Sequence, residues 1–205
     1  MSGIVIIGAG QAGSSLAIKL RALGYQGTVT LIGEEPYAPY QRPPLSKGYL
    51  LGDMALERLY LRPEDLYRDQ NIELRLSTQV TAIDPVAGVI SLGEETLAYD
   101  QLALTTGSTP RLLPEAIGGR LKNVFAVRKL ADVDAMRPAF ERGGHVLIIG
   151  GGYIGLEAAA VAAKRGLKVT LVEMAERILQ RVACKETSDY FRDLHQSHGV
   201  TLLEG

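Results

Sequence analysis

Two glycine-rich turns, each directly after a short apolar run, constrain the possible folds of this chain more than any other feature of its sequence. The first stretch reads SGIVIIGAGQAGSS and the second reads VLIIGGGYIGLE. In both copies the apolar run predicts a strand, the first of them buried, and apolar residues at helical spacing after the glycines predict a helix. Because strand, glycine turn, helix and second strand make one βαβ unit, we expect two such units in this chain.

An acidic residue completes each predicted unit. Glu34 follows a strand at 29–32 and Glu173 follows a strand at 169–172, each about 20 residues behind its turn. In this motif the glycines allow a tight turn, close approach of a pyrophosphate and close packing of helix on strand, and the acid accepts hydrogen bonds from ribose hydroxyls. An isolated turn of this kind is often only a glycine-rich loop, but two complete copies predict two bound dinucleotides. We therefore expect one nucleotide to deliver hydride and the other to accept it.

The rest of the chain supplies the connections. The proline- and tyrosine-rich stretch PYAPYQRPPLSKGYL predicts a loop that opens a helix near Pro44. Further strands are predicted at 72–76, 80–83, 89–92 and 96–97, forming a small antiparallel sheet or hairpin, and a buried strand at 102–104. A crossing at 108–123, helices at 130–141 and 185–197 and a strand at 200–203 complete the prediction. This is an α/β chain with two Rossmann-like domains, a first at 1–112 and a second at 113–205.

Composition excludes several classes of function. The net charge of −1 gives no basic bias toward nucleic acid. No apolar segment is predicted to cross a membrane and no secretory leader is predicted, so we expect a cytoplasmic protein. The single cysteine, Cys184, excludes an internal disulfide and is expected to be a buried or half-buried packing residue. No metal site is predicted, and the oligomeric state stays open.

A family resemblance adds detail to this interpretation. IVIIGAGQAG, PYQRPPLSKGYL, LALTTGSTPR and HVLIIGGGYIGLEAAA with VTLVE resemble, in order, the FAD-dependent NADH:ferredoxin reductases of bacterial oxygenase systems, the putidaredoxin reductase and rhodocoxin reductase type. The resemblance implies the glutathione-reductase-like FAD/NAD(P) fold, with FAD in the first domain and NAD in the second. It also implies that the chain is truncated and corresponds to the N-terminal half of its relatives, with an incomplete NAD domain.

The same resemblance implies roles for individual residues. The FAD pyrophosphate would face Gly8, Gly10, Ala12 and Gly13, while Glu34 would hold the adenosine ribose. Other FAD contacts would come from Arg42, Lys47, Val80, Gly107 and Arg128. The second turn would hold NADH through Gly150, Gly152, Tyr153, Ile154, Gly155 and Glu173. A carboxylate at Glu173 would also repel a 2′-phosphate, which favours NADH over NADPH, although Arg177 lies close enough in sequence to matter.

Lys47 and Glu157 are the predicted catalytic residues. In the wider family a lysine and a glutamate at matching positions form an ion pair beside the flavin, so we expect the two charged groups within about 4 Å. A fixed ammonium would stabilise the negative charge that develops during reduction. The alternative interpretation places Glu157 in the first turn of a helix, where a carboxylate only complements the helix dipole.

The absence of cysteine from the proline loop, Arg42–Lys47, bears on which electron acceptor we expect. Glutathione-reductase relatives need a cysteine pair near the flavin, and Arg42–Lys47 contains no cysteine. The resemblance therefore implies an oxidoreductase that passes electrons from NADH through FAD to a ferredoxin-type [2Fe-2S] protein. Two alternatives stay open: a noncatalytic fragment that retains the nucleotide-binding fold, and a related reductase with a small one-electron acceptor.

Overall fold

The computed structural model describes residues 3–205, which form two compact units. The first unit contains the described residues up to Gln41 together with Leu56–Thr109, and the second joins Arg42–Ala55 to Pro110–Gly205. The predicted cofactor domains, 1–112 and 113–205, stay a prediction. The structure adds that Arg42–Lys47, the proline loop, belongs to the compact unit of the second glycine turn.

The elements follow one another in the alternating order that the sequence predicts. The strands are β1 (Gly3–Ile7), β2 (Val29–Ile32), β3 (Ile72–Arg75), β4 (Ala82–Asp84), β5 (Val89–Leu92), β6 (Glu95–Leu104), β7 (His145–Ile149), β8 (Lys168–Glu173) and β9 (Val200–Glu204). The helices are α1 (Gln11–Ala22), α2 (Gly48–Leu51), α3 (Glu64–Asp69), α4 (Leu130–Arg142), α5 (Tyr153–Lys164) and α6 (Lys185–Ser197). The helix predicted near Pro44 appears as a 3-10 turn, Pro43–Ser46, followed by α2, with proline at its start.

A six-stranded sheet in the order β3-β2-β1-β6-β5-β4 forms the first unit. Its strands β3, β2, β1 and β6 run parallel, while β5 and β4 continue it as an antiparallel hairpin. On β1, Ile6 packs into the cluster that contains Ala17 of α1 and Tyr67 of α3. Val5 faces the other side and packs with Ile90. Burial on both faces explains why the residues of β1 are apolar without alternation.

Strand β6 differs from the prediction of two separate strands at 96–97 and 102–104. It is one strand of ten residues that pairs with β5 in its first half and with β1 in its second half. Asp100 and Gln101 are exposed at the centre of this strand, so their polarity interrupted the apolar pattern without interrupting the strand. Leu104, expected to be buried, is 63% exposed.

The second unit contains a parallel sheet in the order β7-β8-β9. Helix α5 buries Leu156 and Ala159 in this unit, and β8 buries Val169 and Leu171. The residues of β7 alternate between half-buried and exposed, so one face of the sheet carries exposed leucine and isoleucine side chains. Helices α4 and α6 lie where the sequence predicted them, α4 with one further residue at its end.

Candidate functional site

The first glycine turn connects β1 to α1 and uses each glycine differently. Gly8 has a φ of +112°, a left-handed conformation that side chains rarely adopt. A Cβ on Gly13 would collide with the carbonyl oxygen of Gly8, so this glycine lets the helix lie against the turn. At Gly10, by contrast, no described atom lies within 4 Å of the place that a Cβ would take. The turn is therefore tightly packed at Gly8 and Gly13 and open at Gly10.

Thr105 fastens this turn from the end of β6. Its backbone N–H donates to the carbonyl oxygen of Ile7 at 2.8 Å, and its hydroxyl lies 2.9 Å from the carbonyl oxygen of Gly8. These bonds fix the backbone on which the left-handed Gly8 sits. Thr105 was not identified from the sequence as a site residue, although it stands in the TTG stretch at the carboxyl end of a predicted strand.

The second turn, between β7 and α5, repeats this geometry. Gly150 also has a φ of +112°, and a Cβ on Gly155 would collide with the carbonyl oxygen of Gly150. Gly152 is the open position, with no described atom within 4 Å of an added Cβ. Tyr153 and Ile154 follow in the first turn of α5 and are each about half exposed.

Both open glycines lie at helix N-termini, a position that favours binding of an anionic group. Gly10 is the N-cap of α1 and Gly152 the N-cap of α5, and neither position is capped by a side chain among the residues that the structure describes. Backbone N–H groups at a helix start have no partner within the helix, and the helix dipole adds positive potential there. A pyrophosphate fits both places, because each offers such donors beside an open glycine with no described atom within 4 Å of an added Cβ.

Glu173 lies at the end of β8 and reaches its own glycine turn, as the sequence predicted. Its Oε2 accepts the backbone N–H of Gly151 at 2.7 Å, and its Oε1 accepts that of Ala175 at 2.8 Å. Both bonds hold the carboxylate in one orientation beside the turn. Each oxygen keeps a further acceptor position, so the group can still receive ribose hydroxyls.

Glu34 lies one residue beyond the matching place in the first unit, because Gly8 donates to Ile32 as Gly150 donates to Val172, so Gly33 corresponds to Glu173. Glu34 is exposed and follows Gly33, where a Cβ would press on the side chain of Ala9 in the first turn. The backbone behind β2 therefore passes directly against the glycine turn. The orientation of the Glu34 carboxylate toward a ribose stays a prediction.

Lys47 and Glu157 form the ion pair that the sequence analysis expected. The Lys47 Nζ lies 2.8 Å from Oε1 of Glu157, and Ser46, which is buried, donates its hydroxyl hydrogen to Oε2 of the same carboxylate at 2.5 Å. Both partners belong to the second unit, because the proline loop packs there. No acidic residue occupies the first turn of α5, so the alternative interpretation of Glu157 as a helix-dipole partner is wrong.

Other contacts of the second unit hold the proline loop in place. Arg42 donates from its guanidinium to the backbone carbonyl of Arg128 at 2.8 Å. Tyr49 of α2 donates to Asp134 of α4 at 2.8 Å, and the guanidinium of Arg137 lies 4.7 Å from the centre of the Tyr49 ring. Burial, together with the bond to Asp134, raises the pKa of the Tyr49 hydroxyl, so it stays a donor. The loop that carries Lys47 is thus fastened to α4 as well as α5.

The remaining predicted residues are dispersed in the first unit. Val80 is half-buried and packs against the cluster around Val5 and Ile90. Gly107 is exposed with a φ of +70°, in the irregular segment that follows β6. The structure gives their positions, and their contacts with a cofactor stay predictions.

Cys184 differs from its expectation. It is exposed at the N-cap of α6, with its Sγ 3.2 Å from the hydroxyl of Thr187. As the N-cap, Cys184 precedes the helix, whose buried residues are Ser188 and His195. Among residues 3–205, no cluster of three or more His, Cys, Asp or Glu side chains is placed to hold a metal ion. No helix in this part of the chain is long and apolar enough to cross a membrane.

Comparison with known proteins agrees with this geometry. The family described as pyridine nucleotide-disulphide oxidoreductase matches residues 2–205. A ferredoxin reductase subunit of 5,5′-dehydrodivanillate O-demethylase from Sphingobium sp. is 46% identical over 198 residues, which are 96% of this chain and 48% of that protein. Putidaredoxin reductase of Pseudomonas putida is 42% identical over 205 residues, 98% of this chain and 49% of the relative.

Solved structures show the same relationship. The reductase in a covalent putidaredoxin reductase–putidaredoxin complex superposes with a TM-score of 0.94 at 42% identity, covering all of this chain and 50% of that one. A ferredoxin reductase of the CYP199A2 system from Rhodopseudomonas palustris also gives a TM-score of 0.94, at 39% identity, with 100% and 50% covered. The chain therefore has the two-domain nucleotide-binding fold that was predicted, and it spans about half the length of the relatives it matches.

Proposed function

The chain belongs to the pyridine nucleotide-disulphide oxidoreductase family, and from this premise we propose that it carries FAD on its first glycine turn and NADH on its second, for electron transfer to a [2Fe-2S] ferredoxin. The observation that carries the proposal is the repetition of one complete dinucleotide cradle in both units. Left-handed, open and tightly packed glycines recur in the same order, each time with an acid behind the second strand. A single cradle would support nucleotide binding alone, whereas two support transfer between nucleotides.

In this proposal each group of residues has a distinct task. The first turn, with Gly8, Gly10, Ala12 and Gly13, holds the FAD pyrophosphate on the N–H groups at the start of α1. Glu34 receives the adenosine ribose. The family resemblance supports contacts with FAD for Arg42, Lys47, Val80, Gly107 and Arg128.

The second turn holds the nicotinamide nucleotide. Gly150, Gly152 and Gly155 shape the cradle, Tyr153 and Ile154 offer N–H groups at the start of α5, and Glu173 receives the ribose hydroxyls. The Glu173 carboxylate disfavours a 2′-phosphate, so the proposed nucleotide is NADH.

Lys47 and Glu157 are the proposed catalytic pair. When bound, FAD would supply the chemistry that links two-electron reduction by NADH to one-electron delivery. The Lys47 ammonium would stabilise negative charge on the acceptor, and Glu157 holds the lysine in place. Side-chain exposures of 49% and 29% leave this pair an expected stability contribution of only about 0–1 kcal/mol.

A ferredoxin is the proposed acceptor on two grounds. A relative at 46% identity is named a ferredoxin reductase subunit and one at 42% is named putidaredoxin reductase, and one solved structure is a covalent complex of such a reductase with putidaredoxin. The proline loop that presents Lys47 contains no cysteine, which disfavours electron exit through thiols.

The decisive experiment measures flavin content first and acceptor choice second. Purified protein should show the visible absorption of bound flavin, lose it on anaerobic addition of NADH, and then reduce a [2Fe-2S] ferredoxin faster than a quinone. Protein that folds but binds no flavin would be a noncatalytic nucleotide-binding fragment. Faster reduction of the quinone would point to a small-acceptor reductase instead.

A further inference from the structure

Arg177 is the first basic residue after Glu173, so its position bears on nucleotide choice. Met174, Ala175 and Glu176 stand between them and offer no positive charge. In dinucleotide sites of this kind, an arginine close to the ribose-binding acid accommodates the 2′-phosphate of NADP(H). Whether the Arg177 guanidinium is free to do so depends on what holds it.

The structure shows this guanidinium bound on the side of α6. Its Nη1 donates to the hydroxyl of Ser188 at 2.5 Å and to the backbone carbonyl of Cys184 at 3.3 Å. Ser188 itself is completely buried and donates its hydroxyl hydrogen to the carbonyl of Ile178 at 2.6 Å. One hydroxyl therefore connects the side chain of Arg177 to the backbone of the next residue.

The backbone around Arg177 is fixed independently of this hydroxyl. The N–H of Ile178 donates to Oε1 of Glu204 at 2.7 Å, and the N–H of Leu179 donates to the carbonyl of Gly151 in the second turn at 2.9 Å. Only the side chain of Arg177 is thus available to change position. If it left, Ser188 would lose a charge-assisted bond at a site that water does not reach.

We propose that Ser188 is a specificity-determining positioning residue, which holds the Arg177 guanidinium against α6 and so denies it to a 2′-phosphate. The proposal rests on the proposed function, since it requires a nicotinamide nucleotide on the second turn. With Arg177 held back, the Glu173 carboxylate faces the 2′ position without a compensating charge. Discrimination against NADP(H) then has two causes: the Glu173 carboxylate repels the 2′-phosphate, and the Arg177 guanidinium is held away from it.

The test compares NAD⁺ and NADP⁺ affinities by isothermal titration calorimetry on the purified chain. Ser188→Ala should raise the affinity for NADP⁺ relative to NAD⁺ by about fivefold, the size of one exposed charged contact. Adding Arg177→Gln to Ser188→Ala should cancel the gain. Thr187→Ala is the matched control and should leave the ratio unchanged. Thr187 is next to Ser188 in the sequence, and its hydroxyl lies against the Cys184 Sγ.

A second variant tests the proposal even if Ser188→Ala fails to fold. Arg177→Gln alone should leave the NADP⁺ to NAD⁺ ratio unchanged, and a loss of NADP⁺ affinity would overturn the proposal because the guanidinium would already reach the phosphate. An unchanged ratio in folded Ser188→Ala, with NAD⁺ still bound, would overturn the role of Ser188 alone. Unmodified protein that binds neither nucleotide would overturn the proposed function and this inference with it.

Discussion

Ser46 and Lys47 bind opposite oxygens of one carboxylate: the Ser46 hydroxyl donates to Oε2 of Glu157 at 2.5 Å, and the Lys47 ammonium lies 2.8 Å from Oε1. Two consecutive residues of the proline loop thus fix the orientation of a helix side chain. Ser46 is buried and Lys47 exposed, so the serine can set the geometry while the lysine presents its charge. This division of work leads to the first two predictions.

Lys47→Met should slow reduction of bound flavin by NADH. The variant keeps the length of the side chain and removes the charge that stabilises the reduced acceptor, so we expect a loss of about tenfold or more. Stopped-flow absorbance measures this rate. Lys164→Met, at the exposed end of α5, is the control and should reduce at the unmodified rate. Equal rates for both variants would remove Lys47 from the mechanism.

Ser46→Ala should have a smaller effect of the same kind. Without the hydroxyl, Glu157 can rotate and hold Lys47 less firmly, and we expect the reduction rate to fall by about fivefold. Ser46→Thr keeps the hydroxyl and should restore most of the rate. If Ser46→Ala lowers the thermal midpoint but leaves the rate unchanged, the serine is structural only.

The glycines of the first turn should separate binding from stability. Gly13→Ala places a Cβ against the Gly8 carbonyl oxygen and should destabilise the fold by about 1–3 kcal/mol, the usual cost of overpacking. Gly10→Ala meets open space, so it should cost less than about 1 kcal/mol of stability and instead weaken flavin binding. Urea unfolding and flavin titration measure the two quantities. A Gly10→Ala protein with normal flavin affinity would contradict the placement of the pyrophosphate.

The sequence was sufficient to predict the two βαβ units, because glycine spacing, apolar runs and the acids at the strand ends are all local signals. It also predicted that Lys47 and Glu157 would meet, but only through the family resemblance. Local patterns gave no indication that Thr105 fastens the first turn or that Ser188 binds Arg177. The Thr105 contact joins residues distant in sequence, and the Ser188 contact depends on how the segment before α6 is folded. A serine or threonine with such a role carries no distinctive sequence pattern.

Strand β6 shows a second limit of local patterns. Its apolar residues are interrupted by exposed Asp100 and Gln101, so the sequence indicated two strands where pairing with β5 and then with β1 makes one. Backbone pairing on successive partners decides the length of a strand, and single-sequence periodicity does not report it.

An ion pair behind the second nucleotide turn should make stability depend on pH. Arg192 donates to both oxygens of Glu204, which also accepts the N–H of Ile178, and these bonds hold the pKa of the Glu204 carboxyl below its ordinary value. A carboxyl with a lowered folded-state pKa stabilises the fold above the unfolded-state pKa, and this contribution is lost as the pH falls through the folded-state pKa.

The measurement is the free energy of unfolding as a function of pH for unmodified protein and Glu204→Gln. The difference between them should be constant near neutral pH and shrink as the pH falls below about 4.5, where an unfolded glutamate takes up its proton. Glu141→Gln, an exposed residue of α4, controls for the loss of one negative charge. A difference that stays constant down to pH 3, or about that value, would contradict the linkage.

Glu173→Ala should relax the choice between nicotinamide nucleotides. The carboxylate is held beside the second turn by the N–H groups of Gly151 and Ala175, where it can receive ribose hydroxyls and repel a 2′-phosphate. Removing it should weaken NADH binding and narrow the preference for NADH over NADPH by about 1–3 kcal/mol, the usual size of a single-group specificity effect.

Because two backbone donors lose their acceptor, the Glu173→Ala variant should also unfold more easily, so affinities are compared only on protein shown to be folded by circular dichroism. Glu176→Ala, three residues later and exposed, is the matched control for charge and should change neither affinity. If the ratio of NADH to NADPH affinity is the same in Glu173→Ala as in unmodified protein, Glu173 only fastens the strand end to the turn, and nucleotide choice lies elsewhere.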